Sequence, residues 1–294
     1  MNASDASRGT ARTPATTQSG DVLVGVVSTG EPDPGRSGRI RDHLAGELRE
    51  GHISLRRERP GGSGGRVVLV GGGPGDVDLL TIGGRRALAE ADVVVTDRLG
   101  PIGVLAELDP GVEVINVGKS PGNHPVPQEE INRILVERAR RGQVVVRLKG
   151  GDSYIFGRGG EEVLACREAG IPVEVVPGVS SALAVPTLAG IPLIHRAVAH
   201  TLVVTTGHDG LDPAARIAGD AIESGADPET PVAIVERGST PTQRTTYGRL
   251  NTIAGRAEAV GVPAPAVIVI GAVAADGFLS AATRELGSPA EPAE

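Results

Sequence analysis

The chain has 294 residues, a formal net charge of −7 and only two Tyr, two Phe and no Trp, which excludes the basic footprint and base-stacking platforms of nucleic-acid binding. One cysteine, Cys166, excludes an internal disulfide and a cysteine-based metal cluster. No run reaches the ~20 apolar residues of a membrane span, so a soluble, cytoplasmic protein is predicted, with no metal and neither nucleic acid nor membrane as partner.

In chain order, residues 1–20 are small and polar, without the apolar core of a secretory signal, and are expected to be a disordered tail. The run VLVGVV (22–27) reads as a strand, and Ile40, Leu44 and Leu48 recur every four residues as one helix face. These elements form a short piece over 21–55, followed by a flexible linker, RRERPGGSGG, at 56–65. From Arg66 the pattern changes. The Val-rich runs VVLVGG (67–72), DVVVTD (92–97), VEVINVG (112–118), VVVRL (144–148) and VEVVPG (173–178) suit strands buried on both faces of a parallel sheet. Helical stretches lie between them, LLTIGGRRALAEA and EEINRILVERARRG among others, which predicts an α/β domain over 66–178. TLVVTTG (201–207), PVAIVERG (231–238) and PAVIVIG (265–271) are expected to build a second, mostly parallel or mixed sheet in a domain over 179–284. The end from 285, rich in Pro, Ala and Glu, reads as a second disordered tail.

Two glycine clusters carry the chemistry. The first, VVLVGGGPGD (67–76), places a glycine-rich turn directly after a strand, where open α/β sheets bind ligands. It is no dinucleotide fingerprint: Asp76 stands where the third glycine of a G-x-G-x-x-G reading from Gly71 would be, and Pro74 removes an N–H that a phosphate would use. No NAD is therefore predicted. The second, RLKGGDSYIFGRGGEE (147–162), holds five glycines, two of the four aromatics and Lys149. Consecutive glycines allow close approach of a ligand to the backbone, and Asp152 suits a hydroxyl or ammonium partner. Of the 29 basic residues only Lys119 and Lys149 are lysine.

With these clusters, the order of VGGGPGDVDLLTIGGRRAL, ADVVVTDRL, VGK, RLKGGDSYIFGRGGEE, AGIPVEVVPGVSSA, AGIPLIHR, TTGH and PVAIVERGSTPTQR resembles the uroporphyrinogen-III C-methyltransferase branch of the tetrapyrrole methylase family, including the methylase half of sirohaem synthases. The resemblance spans most of 66–275. It implies a two-domain α/β homodimer that binds S-adenosylmethionine between its domains. The implied reaction methylates uroporphyrinogen III at C2 and C7, giving precorrin-2 for sirohaem and cobalamin synthesis. Carried over by motif, Asp97 is the proton acceptor and Lys119 the proton donor. Donor contacts fall on Pro74, Gly150, Gly151, Asp152, Ile155, Ser180, Ser181 and Gly238. A polycarboxylate substrate needs local positive charge on an acidic protein, and Arg98, Arg147, Arg158 and Arg196 stand in or beside the motifs. His195 and His208 lack metal-ligand spacing and read as hydrogen-bonded structural residues.

The chain also departs from the family pattern. Only 22 residues, Asp209–Thr230, separate TTGH from PVAIVE, room for a helix but not for the family's extra strand and its donor-contacting methionine; Met1 is the sole methionine here. Ser153 replaces a proline and Ile194 a threonine. The piece from Gly25 to Gly51 resembles the closing strand and helix of the NAD-dependent dehydrogenase domain of sirohaem synthases, without its glycine fingerprint, so neither dehydrogenase nor ferrochelatase activity is expected. Two alternatives to the active enzyme stay open at this level: a methylase remnant that keeps the fold without productive donor binding, and a methylase acting on another tetrapyrrole intermediate.

Overall fold

A computed structural model describes residues 13–31, 33–56, 64–97, 99–118, 126–207 and 213–279. Most of the expected linker and the expected end tail lie outside the described residues, as do Arg98, Lys119 and His208. The first difference from expectation comes at the start. Ala15–Ser19 form β1, paired antiparallel with β2 (Val22–Val26) through a turn at Gly20, whose φ of 56 suits glycine. The polar run Ala-Thr-Thr-Gln-Ser suffices for a strand once β2 supplies a ladder. Helix α1 (Pro34–Glu50) packs on the hairpin; it is capped at its start by Asp33 and stopped by Gly51 in the left-handed region. Leu48 is buried, whereas Ile40 of the same face is exposed.

The main sheet is parallel, in the order β5 (Glu113–Asn116), β4 (Val93–Thr96), β6 (Val144–Lys149), β3 (Arg66–Gly71) and β7 (Val173–Val176). Its three inner strands are near-continuous buried runs because both faces are covered. On one face Val67, Leu69, Val93, Val95 and Val145 pack with Ile131 and Leu135 of α3 (Gln128–Arg140) and with Val163 and Cys166 of α4 (Gly159–Glu168). On the other face Val68, Val70, Val94, Val146 and Leu148 meet Leu88 of α2 (Ile82–Ala89). Each such side chain contributes about 1.5–3 kcal/mol by leaving water. Cys166 is fully buried, and burial pushes its thiol up to about 11, so it is a packing residue. Gly65 precedes β3 because a Cβ there would lie 2.0 Å from the carbonyl oxygen of Ala139.

After β7 the chain enters α5 (Ser181–Leu188) and then α6 (Pro213–Glu223). The second sheet is antiparallel, with β8 (Pro231–Glu236) between β9 (Arg244–Arg249) and β10 (Ala266–Ile270), and α7 (Ile253–Val260) joins the last two. This differs from the expected mostly parallel or mixed sheet. The run TLVVTTG is also no strand: residues 201–207 are not paired, and Val203 is 82% exposed. Such a run becomes a strand only where a neighbour accepts its backbone groups, and neither edge of the β10–β8–β9 sheet takes it. The predicted helix without a strand in the shortened segment is present as α6.

Candidate functional site

The glycine clusters follow β3 and β6, two adjacent parallel strands, so their turns emerge side by side at the strands' carboxyl ends. Backbone bonds from Gly73 N to Gly151 O (3.2 Å) and from Gly151 N to Gly73 O (2.7 Å) tie them together. Glycine is required at several of these positions by contact. A Cβ on Gly178 would stand 2.3 Å from Gly151 O, and one on Gly150 would stand 2.3 Å from Leu99 O. The Asp152 carboxylate braces the same corner, accepting from Tyr154 N at 2.8 Å and Gly178 N at 3.0 Å. Ser180 caps α5, accepting from Ala182 N, and Ser181 N lies 3.6 Å from where a Gly151 Cβ would be.

The second domain reaches this corner through the turn after β8. Ser239 Oγ accepts from Asp76 N at 3.1 Å, and Gly238 lies against Val185 of α5. Arg237 and Ser239 both hold positive φ, 48 and 65, a backbone strain that marks the turn as specialised. The structure therefore gathers Pro74, Gly150, Gly151, Asp152, Ser180, Ser181 and Gly238 around one corner. Ile155 stands at its rim, exposed between exposed Tyr154 and Phe156. One consequence is measurable: a Cβ at Gly238 would come within 2.3 Å of Val185 Cγ2, and valine is too stiff to yield. Gly238→Ala is expected to cost about 1–3 kcal/mol in urea unfolding, and Val185→Ala in the same chain to recover part of it.

Asp97 ends β4 on the face that carries α3 and α4. Its Oδ1 accepts from Leu99 N (3.0 Å) and its Oδ2 from Arg147 Nη2 (3.0 Å), and its side chain is 26% exposed. The following residues join it to the glycine corner, since Leu99 presses on Gly150 and Pro101 on Gly72. Arg147 corrects an expectation. It is 3% exposed, its Nε donates to Glu162 Oε1 at 3.0 Å, and its Nη1 donates to Leu148 O at 2.9 Å, so it is interior and occupied rather than open to a substrate carboxylate. Lys149 beside it donates to Glu162 Oε1 at 3.1 Å. Burial holds the Lys149 ammonium below the ordinary lysine value, Arg147 pushes the same way, and Glu162 opposes both. Arg158 is exposed and paired in bidentate fashion with Glu161; Arg196 is exposed. His195 is structural: its ring meets Phe278 edge-on at 5.2 Å and its Nδ1 accepts from Ala197 N. Ser153, in place of the family proline, is fully buried, and its hydroxyl has no partner among the described residues. Ile194 is 60% exposed.

Sequence reasoning missed Glu162 and Ser239. For Glu162 a signal existed: two cations alternate with Leu148 along a strand whose neighbours are all buried, and buried cations need a carboxylate.

The loops select charge. Residues 71–76 and 150–152 hold Asp76 and Asp152 and no cation, which suits a cationic ligand and disfavours a diphosphate. The profile described as Tetrapyrrole (Corrin/Porphyrin) Methylases matches residues 66–254. A uroporphyrinogen-III C-methyltransferase of Methanocaldococcus jannaschii is 45% identical over 233 residues, covering 71% of this chain and 96% of the relative. Siroheme synthase 1 of Klebsiella pneumoniae is 42% identical over 255 residues, covering 78% of this chain and only 54% of the relative. Among solved structures, a uroporphyrin-III C-methyl transferase from Thermus thermophilus complexed with S-adenyl homocysteine superposes with a TM-score of 0.60 at 43% identity, covering 71% of this chain and 98% of that one. A glycine corner built on adjacent parallel strands and a match of this extent lead to one assignment: the chain belongs to the tetrapyrrole methylase family.

Proposed function

We propose that the protein is an S-adenosylmethionine-dependent C-methyltransferase that converts uroporphyrinogen III to precorrin-2. The observation that carries this reading is the convergence of Pro74, Gly150, Gly151, Asp152, Ser180, Ser181 and Gly238 on one corner, whose loops at 71–76 and 150–152 hold Asp76 and Asp152 and no cation. S-adenosylmethionine supplies an electrophilic methyl on a cationic sulfonium. The named loops and Ile155 bind and orient it, so that alignment with the acceptor carbon supplies most of the catalysis. As the new carbon–carbon bond forms, the sulfonium–methyl bond breaks and the acceptor must shed a proton; Asp97 takes it at a carboxylate oxygen. Lys119, outside the described residues, is the proton donor. Arg98, Arg158 and Arg196 are left to meet the acceptor's carboxylates. The reading includes a cytoplasmic homodimer; among the described residues no helix is long and apolar enough to cross a membrane.

A second reading, a methylase fold without productive donor binding, is favoured by the unpaired run at 201–207 and the short connection to β8. Incubation with S-adenosylmethionine and freshly generated uroporphyrinogen III, followed by mass and absorbance, separates the two. Two added methyls per macrocycle are expected. Failure of S-adenosylhomocysteine to bind at millimolar concentration in calorimetry would leave the second reading standing.

A further inference from the structure

The interior place of Arg147 leaves a cation with no substrate to bind, directly behind the carboxylate assigned as proton acceptor. All three guanidinium nitrogens are engaged: Nε with Glu162, Nη1 with the Leu148 carbonyl and more distantly with that of Val95 (3.4 Å), and Nη2 with Asp97 Oδ2. Its backbone is fixed as well, because Arg147 is in register with Val95 on β4, two residues before Asp97. Behind it Glu162 is 0% exposed and is held in turn by Lys149 (3.1 Å) and Gln128 (3.3 Å). Asp97 is thus gripped at both oxygens, by Arg147 from the interior and by Leu99 N along the chain, while 26% of its side chain stays open. Each carboxylate oxygen has two lone pairs, so among the described residues one on each has no partner and can meet a proton from outside.

We propose that Arg147 is a positioning residue for Asp97: anchored on buried Glu162, it fixes the direction in which the Asp97 carboxylate presents its free lone pairs to the acceptor. This rests on the reading of Asp97 as the proton acceptor. A planar fork is needed for the task, since one point charge cannot hold Glu162 and Asp97 in fixed directions at once. Arg147→Lys therefore keeps the charge and loses the orientation.

A double-mutant cycle tests it, with wild type, Arg147→Lys, Asp97→Asn and the double variant assayed for kcat, for KM of both substrates and for S-adenosylhomocysteine affinity by calorimetry. Arg147→Lys is expected to lower kcat roughly tenfold or more, with the KM values and the affinity within about threefold of wild type. In the Asp97→Asn background the same replacement is expected to change kcat less than about twofold, because the group it acts through is gone. An equal loss in both backgrounds marks a merely structural ion pair and overturns the proposal. Undiminished kcat in Asp97→Asn alone overturns instead the assignment of Asp97, and with it the premise. Should Arg147→Lys lose its cooperative unfolding transition, Arg147→Gln takes its place in the same cycle, with the same outcomes deciding.

Discussion

Asp97→Asn is expected to lower kcat by roughly a hundred- to ten-thousand-fold, the range that a positioned general base contributes, while S-adenosylhomocysteine binds with unchanged affinity. The separation follows from geometry. Asp97 touches the donor loops only through its neighbours: Leu99, whose N–H it caps, packs on Gly150, and Pro101 packs on Gly72. Asparagine preserves the cap, because its amide oxygen accepts from Leu99 N as the carboxylate does. It has one acceptor oxygen, however, where Asp97 uses two, so Arg147 Nη2 loses its partner at a stability cost of about 1–3 kcal/mol. Thermal unfolding of the variant separates that loss from the catalytic one. Turnover within tenfold of wild type in a folded Asn variant would remove Asp97 from the reaction; a parallel loss of donor-analogue affinity would place it in the donor site instead.

The first sheet is legible in the sequence because its physics is simple. Strands covered on both faces must be apolar throughout, and Val67–Val70, Val93–Val95 and Val144–Val146 show it without help from neighbours. The second sheet is less so. β9 is Arg-Thr-Thr-Tyr-Gly-Arg, half-buried along one edge, with no apolar run to announce it, and it gains its structure from β8. The opposite error occurs at Leu202–Val204, where intrinsic preference is strong but no ladder is available. At the site, glycine positions are readable because close backbone approach allows no other residue, as at Gly178 and Gly150. Charge is harder to place. The letter Arg147 does not say whether its guanidinium faces water or Glu162, and the partner lies 15 residues away on a helix whose apolar face is short. The strand on which it sits was the available clue.

Glu162 is the side chain whose removal should unsettle the fold most. It is fully buried and accepts from Arg147, Lys149 and Gln128 through Oε1; its Oε2 lies 3.1 Å from the Lys149 ammonium without a well-directed hydrogen bond. Glu162→Gln keeps the volume and leaves two interior cations facing a neutral amide, with Asp97 as the carboxylate still bonded to Arg147. Breaking a buried pair from one side costs about 3–5 kcal/mol, read as a fall in the urea midpoint at pH 7. The loss should shrink at alkaline pH. Arginine cannot discharge, but burial already holds the Lys149 ammonium below its ordinary value, and losing Glu162 removes the carboxylate that opposed this. Between the lowered folded value and the ordinary unfolded one, the unfolded chain binds more protons, so the variant's stability rises with pH. Wild type, which retains Glu162, rises less. The gap between the two is therefore expected to narrow from pH 7 to pH 9.5, and the same gap measured between Lys149→Met and the Lys149→Met/Glu162→Gln chain should not depend on pH. A gap that stays constant with pH would mean that Lys149 remains charged and finds water or another acceptor once Glu162 is gone.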